Sequence, residues 1–311
     1  MFKPLWIGTL LILIAPANHA SEPQVVVTIK PIHALVSGVM DGVGTPYLLL
    51  PGGESPHSYS LHPSQVRRLH RATVVVWVGS TVETFLEKTM TTLNEKIQIL
   101  RLIEVPGLSL LKVREGKAWE THNYDEHHDN EFKIDPHIWL DPDNAKVIVQ
   151  AIAQTLSQID ANNAARYTAN ATRLVEQLEQ LDQTLKQQLA PIKELPYLIF
   201  HDAYQYFEHH YGLTAVGAIT LSPESRPSVR RLYQLRARLK KQQIRCVFSE
   251  PQFESALVAT LIEGTLVQRG VLDPLGADLV AGTESYFTLL SNLTDSLKQC
   301  LQPKFKFPTG R

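Results

Sequence analysis

The sequence predicts an α/β protein in which two βα lobes, each built on a mostly parallel sheet, are joined by one long backbone helix. Two observations support this fold class. Short apolar runs rich in β-branched residues alternate with helical segments in both halves of the chain. Between the halves, leucines recur at spacings of three and four residues, which is typical of the apolar stripe of one helix: Leu174, Leu178, Leu181, Leu185 and Leu189.

The first half of the chain contains four expected strands with helices between them. The strands are expected over residues 25–30, 47–50, 73–78 and 97–100. A short helix is expected to begin at Pro63, because proline suits the first helical position, and Ser80 can cap the helix after it. This series predicts a parallel sheet with helices on both faces.

The middle of the chain contains a polar segment followed by two helical segments. The segment between Val113 and Asp135 is polar and is expected to be a surface loop. A helix follows, with Asp141 or Asp143 near its start, where carboxylates are favoured. The longest helical pattern then covers residues 162–189, roughly 42 Å at a rise of about 1.5 Å per residue. A homodimeric coiled coil is the alternative, less favoured because the flanking positions lack a matching charge scheme.

The second half repeats the βα alternation. Strands are expected over residues 197–200, 213–216, 244–248 and 266–272, and helices over 228–241, 253–263 and 284–301. The chain is therefore divided into four parts: a signal peptide (1–20), an N-terminal lobe (21–158), a connecting helix (159–190) and a C-terminal lobe (191–311).

The N-terminal segment and the cysteines indicate an exported protein, and the charge balance bears on its binding partners. Lys3 and the short apolar run at residues 9–15 are typical of a secretory signal, with cleavage after Ala20 or, alternatively, Ala17. The 30 Lys and Arg nearly balance the 31 Asp and Glu, so nothing indicates binding to nucleic acid. In an oxidising compartment Cys246 and Cys300 most simply form a disulfide. A thiolate site is less favoured, because neither cysteine lies in a C-x-x-C motif.

Three histidines stand where apolar runs give way to turns: His57 in LLLPGGESPHSYS, His137 in DPHIWLDP and His201 in YLIFHDAY. Asp273 follows the last expected strand in the same way. Ligands of parallel α/β sheets bind beyond the carboxyl ends of the strands, so these four residues can converge between the lobes. Three imidazoles with one carboxylate or water would complete a tetrahedral zinc site. The remaining histidines of the two lobes are expected to be structural: His33, His62, His70, His209 and His210.

Five segments carry a family resemblance: LLLPGGESPHSYSLHPSQVRRLHRATVVVWVG, DPHIWLDP, FHDAYQYFE, CVFSEPQF and LDPLGADL. They resemble the periplasmic zinc-binding proteins of ABC-type zinc uptake systems, which belong to the metal-binding cluster of solute-binding proteins. The resemblance implies two (β/α)₄ lobes, a rigid backbone helix and one zinc site in the cleft. It places His57, His137 and His201 at the three family histidine positions.

The resemblance leaves the fourth ligand open. Asp273 matches an aspartate that is a ligand in some members, whereas a water or a nearby glutamate completes the shell in others. Some members carry a ligand glutamate just before the first histidine, but Pro56 stands at that position here. The resemblance therefore implies Asp273 or water.

The resemblance also implies how the protein works. Zn²⁺ would be cargo, carried by a periplasmic monomer to the membrane subunit of an ABC permease, with no enzymatic turnover. The polar loop at residues 115–133, with His122, His127 and His128, is either a weak zinc-capturing segment or an ordinary solvated loop. Cys246 and Cys300 match a cysteine pair that some members join as a disulfide.

Two alternatives remain at this stage. Manganese carriers and metal-dependent adhesins of the same fold usually have glutamate where His201 stands, and a third imidazole favours zinc over the harder manganese ion. A zinc hydrolase would use the three histidines to activate water, and Glu250 is a candidate general base by position alone.

Overall fold

The computed structural model describes residues 22–115, 119, 134–220, 227–253 and 256–302. Its strands are β1 Val25–Val27, β2 Tyr47–Leu48, β3 Val74–Trp77, β4 Gln98–Arg101, β5 Tyr197–His201, β6 Ala215–Thr220, β7 Cys246–Ser249 and β8 Gln268–Val271. Its α-helices are α1 Lys30–Val39, α2 Pro63–His70, α3 Glu87–Met90, α4 Pro142–Ile159, α5 Ala164–Leu189, α6 Gln205–Tyr211, α7 Val229–Lys241, α8 Ala256–Ile262 and α9 Glu284–Leu301. Within those ranges no helix is long and apolar enough to cross a membrane.

Two four-stranded parallel sheets form the frame of the molecule, which confirms the predicted α/β fold class. Their strand orders are β2-β1-β3-β4 and β6-β5-β7-β8, so the two lobes share one topology. Every strand pairing within them is parallel. In each lobe the first strand lies inside the sheet, and the residues that follow it emerge at the carboxyl edge, where ligands bind in this architecture.

The structure corrects three predicted boundaries. The first strand ends at Val27, three residues earlier than expected, and Lys30 begins helix α1, which the sequence analysis did not predict. Pro31 in the first turn of α1 was the available signal, because proline is favoured there. Strand β6 continues to Thr220, beyond the expected end at residue 216. The helix expected after Ser80 begins only at Glu87, after a short 3-10 turn.

The long helix α5 has 26 residues and confirms the predicted connection between the lobes. Its buried stripe includes Leu174, Leu178, Leu185 and Leu189, and it packs against α1, α4 and α9. One continuous apolar core runs along this stripe and joins the inner faces of both sheets, from Val25 to Leu301. Each sheet has a separate, smaller core on its outer face. The shared core fixes how the two lobes lie against each other, because buried side chains are closely packed.

A histidine of the C-terminal lobe reinforces this junction. His210 on α6 contacts Asp182 of α5 through Nε2 at 2.7 Å and Asp141, the cap of α4, through Nδ1 at 3.2 Å. Burial lowers the pKa of His210, but the hydrogen bonds to Asp141 and Asp182 outweigh burial and raise it above the ordinary value. Two acceptors on opposite sides of one ring are satisfied together only when both nitrogens carry hydrogen.

We expect His210→Gln to destabilise the metal-free protein in a pH-dependent way. Because the pKa of His210 is raised on folding, its contribution is fully present below the ordinary value of about 6.5 and is lost as the pH rises through the raised pKa. The thermal unfolding midpoints of the wild-type and variant proteins should therefore differ at about pH 6 and converge as the pH rises to about 9. The exposed neighbour His209, changed to Gln, is the control and should show no such convergence. A gap between wild type and His210→Gln that stays constant with pH would contradict the assignment.

Candidate metal centre

The structure brings the three predicted histidines together. His57 lies in the turn after β2, His137 lies just before a short 3-10 turn that leads into α4, and His201 is the last residue of β5. Their ring centroids are 5.3 to 6.0 Å apart. One ligand atom from each ring lies within 4.8 Å of the others. His57 and His137 come from the N-terminal lobe and His201 from the C-terminal lobe, so the cluster spans the cleft.

Two carboxylates orient two of these rings. Nδ1 of His137 donates to Oδ1 of Asp135 at 2.8 Å, and Nδ1 of His201 donates to Oε1 of Glu250 at 2.6 Å. An ionised carboxylate only accepts. Where the two acids are ionised and the imidazoles are neutral, each Nδ1 therefore carries the hydrogen and each Nε2 carries a free lone pair. Carboxylates behind imidazoles in this way fix the tautomer and the direction of a metal ligand.

The two free nitrogens face each other. Nε2 of His137 and Nε2 of His201 are 3.4 Å apart, and both residues are buried. Two lone pairs at that distance repel unless a cation lies between them. Ligands in a tetrahedral site with Zn–N bonds of about 2.0 to 2.1 Å are about 3.3 to 3.4 Å apart. The spacing therefore fits a tetrahedral zinc site.

The pKa values of the three rings differ because their surroundings differ. Burial, together with the neighbouring imidazoles, holds the pKa of His57 and of His137 well below the ordinary value. Burial also lowers the pKa of His201, but Glu250 outweighs it through its charge and hydrogen bond, and the pKa is raised. His201 is thus the first of the three to take up a proton as the pH falls.

A partly buried arginine, Arg114, partly neutralises the acids around this cluster. The guanidinium of Arg114 donates to both oxygens of Asp202, which follows His201, and to Oε2 of Glu208 at 2.7 Å. Burial raises the pKa of Asp135 to about 7, against the hydrogen bond from the backbone of His137 and the charge of Arg114, which lower it. Arg114 also ties the start of the 115–133 segment to the C-terminal lobe.

The space between the histidines is small. It has a volume of about 10 Å³, which is about one water-sized sphere. Apolar groups line much of it, so the space between the rings suits a single ion. The lining residues are Ser55, Pro56, His57, His137, Trp139, His201, Glu250, Gln252, Phe253, Pro274 and Leu275.

Asp273 is the predicted ligand that the structure does not bring into the histidine cluster. Its Oδ1 accepts hydrogen bonds from Gln252 at 2.9 Å and from the backbone of Leu275 and Gly276 at 3.0 Å. Its Oδ2 accepts from the backbone of Ala277 at 2.6 Å. The carboxylate therefore organises the turn that follows β8.

The remaining predictions fall partly outside the described residues. The signal peptide (1–20) and the loop histidines His122, His127 and His128 lie there. Cys246 in β7 and Cys300 in α9 have Cα atoms 6.1 Å apart, and their sulfurs are within bonding distance.

Sequence reasoning missed the two carboxylates that orient the rings. Asp135 stands two residues before His137 in the motif DPH, and Glu250, considered only as a base, follows β7 directly. The signal for both was available, because a metal-bound histidine usually donates its second N–H to a carboxylate or carbonyl.

Comparisons with known proteins show the family to which the chain belongs. The model of the family described as zinc-uptake complex component A, periplasmic, matches residues 25–300. The chain belongs to this family. Members of the zinc-uptake family are solute-binding components of transport systems.

Two relatives and one solved structure illustrate the likeness. The high-affinity zinc uptake system protein ZnuA of Brucella abortus (strain 2308) is 42% identical over 304 residues, covering 89% of this chain and 91% of that protein. ZnuA of Yersinia pestis is 37% identical over 314 residues, covering 96% of this chain and 98% of that protein. The periplasmic zinc binding protein TroA from Treponema pallidum has a TM-score of 0.78 at 22% identity, covering 90% and 99% of the two chains, and shares the fold.

The hydrogen bonds behind the rings give a test that needs no metal. At about pH 8 the metal-free protein should hold His137 and His201 as the Nδ1–H tautomer, because each Nδ1 faces a carboxylate. Heteronuclear NMR of the imidazole nitrogens distinguishes the tautomers. Asp135→Ala should release His137 from this tautomer and leave His201 in it. Observing Nε2–H on both rings of the wild-type protein would refute the arrangement.

Proposed function

We propose that this chain is a periplasmic solute-binding protein that captures Zn²⁺ with His57, His137 and His201. It delivers the ion, as a monomer, to the membrane subunit of an ABC-type permease for high-affinity zinc import. Family membership and relatives named as zinc uptake proteins support this function. The main structural support is the pair of Nε2 atoms of His137 and His201. They lie 3.4 Å apart, and a carboxylate behind each ring orients it toward the other.

The donor set favours zinc, with water as the fourth ligand. Three neutral imidazoles suit Zn²⁺, whereas manganese prefers oxygen ligands. The resemblance also allows Asp273 as the fourth ligand. Both of its oxygens, however, already accept hydrogen bonds from the turn and from Gln252. To bind zinc, Asp273 would have to break contacts that shape its own loop. Water needs no such change, so we favour water.

Binding without turnover suits the site better than hydrolysis does. The cavity of about 10 Å³ leaves no room for an organic substrate beside the ion. Glu250, the candidate base, is committed to orienting His201 through Nδ1 at 2.6 Å. We therefore assign no catalytic residue to this chain.

Export completes the proposal. After removal of the signal peptide in the periplasm, Cys246 and Cys300 would be oxidised to a disulfide that joins β7 to the last turn of α9. The bond would fix α9 to the sheet that carries His201.

His201→Ala should weaken zinc binding by at least about two orders of magnitude, because it removes one of three ligands and leaves Glu250 without its partner. Competition titration with a chelator of known affinity measures the dissociation constant, and circular dichroism checks the fold. His209→Ala, on the exposed surface, is the matched control and should bind zinc as the wild type does.

Asp273→Asn separates the two choices of fourth ligand in the same titration. If water is the fourth ligand, this variant should lose much less affinity than His201→Ala. An unchanged dissociation constant for His201→Ala would overturn the ligand assignment, and equal losses for both variants would make Asp273 a ligand.

Zinc affinity should fall as the pH decreases, with a slope that corresponds to one competing proton. Neutral imidazoles bind the ion, so protons compete with it. The pKa values of His57 and His137 are held well below the ordinary value and that of His201 is raised, so only His201 competes at first. Below the raised pKa, the dissociation constant should increase about ten-fold per pH unit. Chelator competition between about pH 8 and pH 5 tests this, and a two- or three-proton slope from the outset would contradict it.

A further inference from the structure

A buried lysine crosses the cleft beside the metal centre. Lys30 is the first residue of α1, at the carboxyl edge of the N-terminal sheet, and only 4% of it is exposed. Its Nζ donates to the carbonyl oxygens of Gly276 at 2.8 Å, Ala277 at 2.6 Å and Leu279 at 2.8 Å. These carbonyls belong to the turn after β8 in the opposite lobe. All three hydrogens of the ammonium group are thus used across the lobe boundary.

The arrangement is specific because a buried ammonium group is costly to desolvate. Three carbonyl oxygens compensate for the lost water, and the charges of Asp273 and Asp278 favour the cation from a greater distance. Burial nevertheless lowers the pKa of Lys30 below the ordinary lysine value. The contact exists only while the turn after β8 keeps its carbonyls pointed at the N-terminal lobe.

The same turn forms a wall of the metal cavity. Pro274 and Leu275 line the cavity, and the carboxylate of Asp273 holds the backbone from Leu275 to Ala277 from inside the turn. Nε1 of Trp139, itself a lining residue, donates to the carbonyl of Pro274 at 2.8 Å. Lys30 therefore fixes the outer end of a turn whose inner end closes the space around the ion.

The turn that carries His57 rests on the same contact. An added Cβ at Gly52 would lie 2.6 Å from the carbonyl oxygen of Ala277 and 2.7 Å from Nζ of Lys30. Gly52 also has a φ of +130°, which side chains rarely adopt. Because His57 lies five residues further along, Lys30 touches both the turn with the first ligand and the wall opposite it.

We propose that Lys30 is an interlobe latch that slows the release of bound zinc by holding the turn 274–279 against the N-terminal lobe. Lys30 is a positioning residue and does not touch the ion. The proposal rests on the proposed zinc-carrier function. Movement of this wall would open a path for the ion, and the three hydrogen bonds to Lys30 oppose that movement.

Lys30→Met tests the latch, because methionine keeps much of the apolar stem and removes the donors. Zinc-loaded protein is mixed rapidly with excess chelator, and the release rate is followed. Loss of charge-assisted hydrogen bonds should raise that rate at least about ten-fold, while the association rate stays within about two-fold. Thermal unfolding of the metal-free proteins is measured in parallel.

Gly52→Ala tests the same contact from its other side and leaves Lys30 in place. It should also raise the release rate, because the new methyl group separates Nζ from the carbonyl of Ala277. The double variant should release zinc no faster than the faster single variant, because both changes disrupt one contact. If Lys30→Met does not fold, Lys30→Gln, whose shorter side chain cannot reach all three carbonyls, takes its place, because Gly52→Ala also strains the turn that carries His57.

Lys298→Met is the matched control. Nζ of Lys298 donates to Gln188 at 2.9 Å and so joins α9 to α5, but neither residue lines the metal cavity. It should release zinc at the wild-type rate. Release rates of Lys30→Met and Gly52→Ala within two-fold of wild type would overturn the latch. Failure of the wild-type protein itself to bind zinc would overturn the proposed function instead.

Discussion

The two lobes meet around a pair of imidazole nitrogens that repel each other when both rings are neutral and no cation lies between them. Nε2 of His137 and Nε2 of His201 lie 3.4 Å apart, each with its lone pair turned inward by a carboxylate behind the ring. Each residue belongs to a different lobe, so the lobes could relieve the repulsion by separating. They are prevented from doing so by the apolar core that runs along α5 and joins both sheets. Apolar burial thus maintains a polar arrangement that is unfavourable until a cation fills it.

The charges around the centre are arranged in layers. Nearest the ion position are the imidazoles, behind them Asp135 and Glu250, and beside these the pair of Asp202 with Arg114. Carboxylates in the second layer make the imidazoles more basic and offset part of the charge of a bound divalent cation. Arg114 limits that negative charge in the absence of metal, because buried acids without a partner are costly.

The fold was more predictable from the sequence than the details of the site. The parallel strands follow from continuous β-branched apolar runs and the long helix from a period of about 3.6 residues, and the histidines converge because strand ends share an edge. The predicted end of β1 was wrong because Thr28 and Ile29 suit a strand equally well, and Pro31 is the one local signal that a helix begins at Lys30. The role of Asp273 depends on whether its oxygens face the cleft or the backbone of its own turn, which no local pattern specifies. Lys30 contacts carbonyls more than 240 residues away, and such a contact leaves no signal in one sequence.

The two proposals assign affinity and release to different parts of this molecule. The three imidazoles would determine how strongly an ion is held, whereas the turn after β8 would determine whether the ion has a path out. A carrier whose lobes share a continuous core has little freedom to open as two rigid halves. Local movement of a wall then becomes the available route, and the wall formed by Pro274 and Leu275 is tethered at both ends. Because both tethers come from the N-terminal lobe and Lys30 is one of them, a partner that displaces α1 from the turn would loosen the wall without touching a ligand.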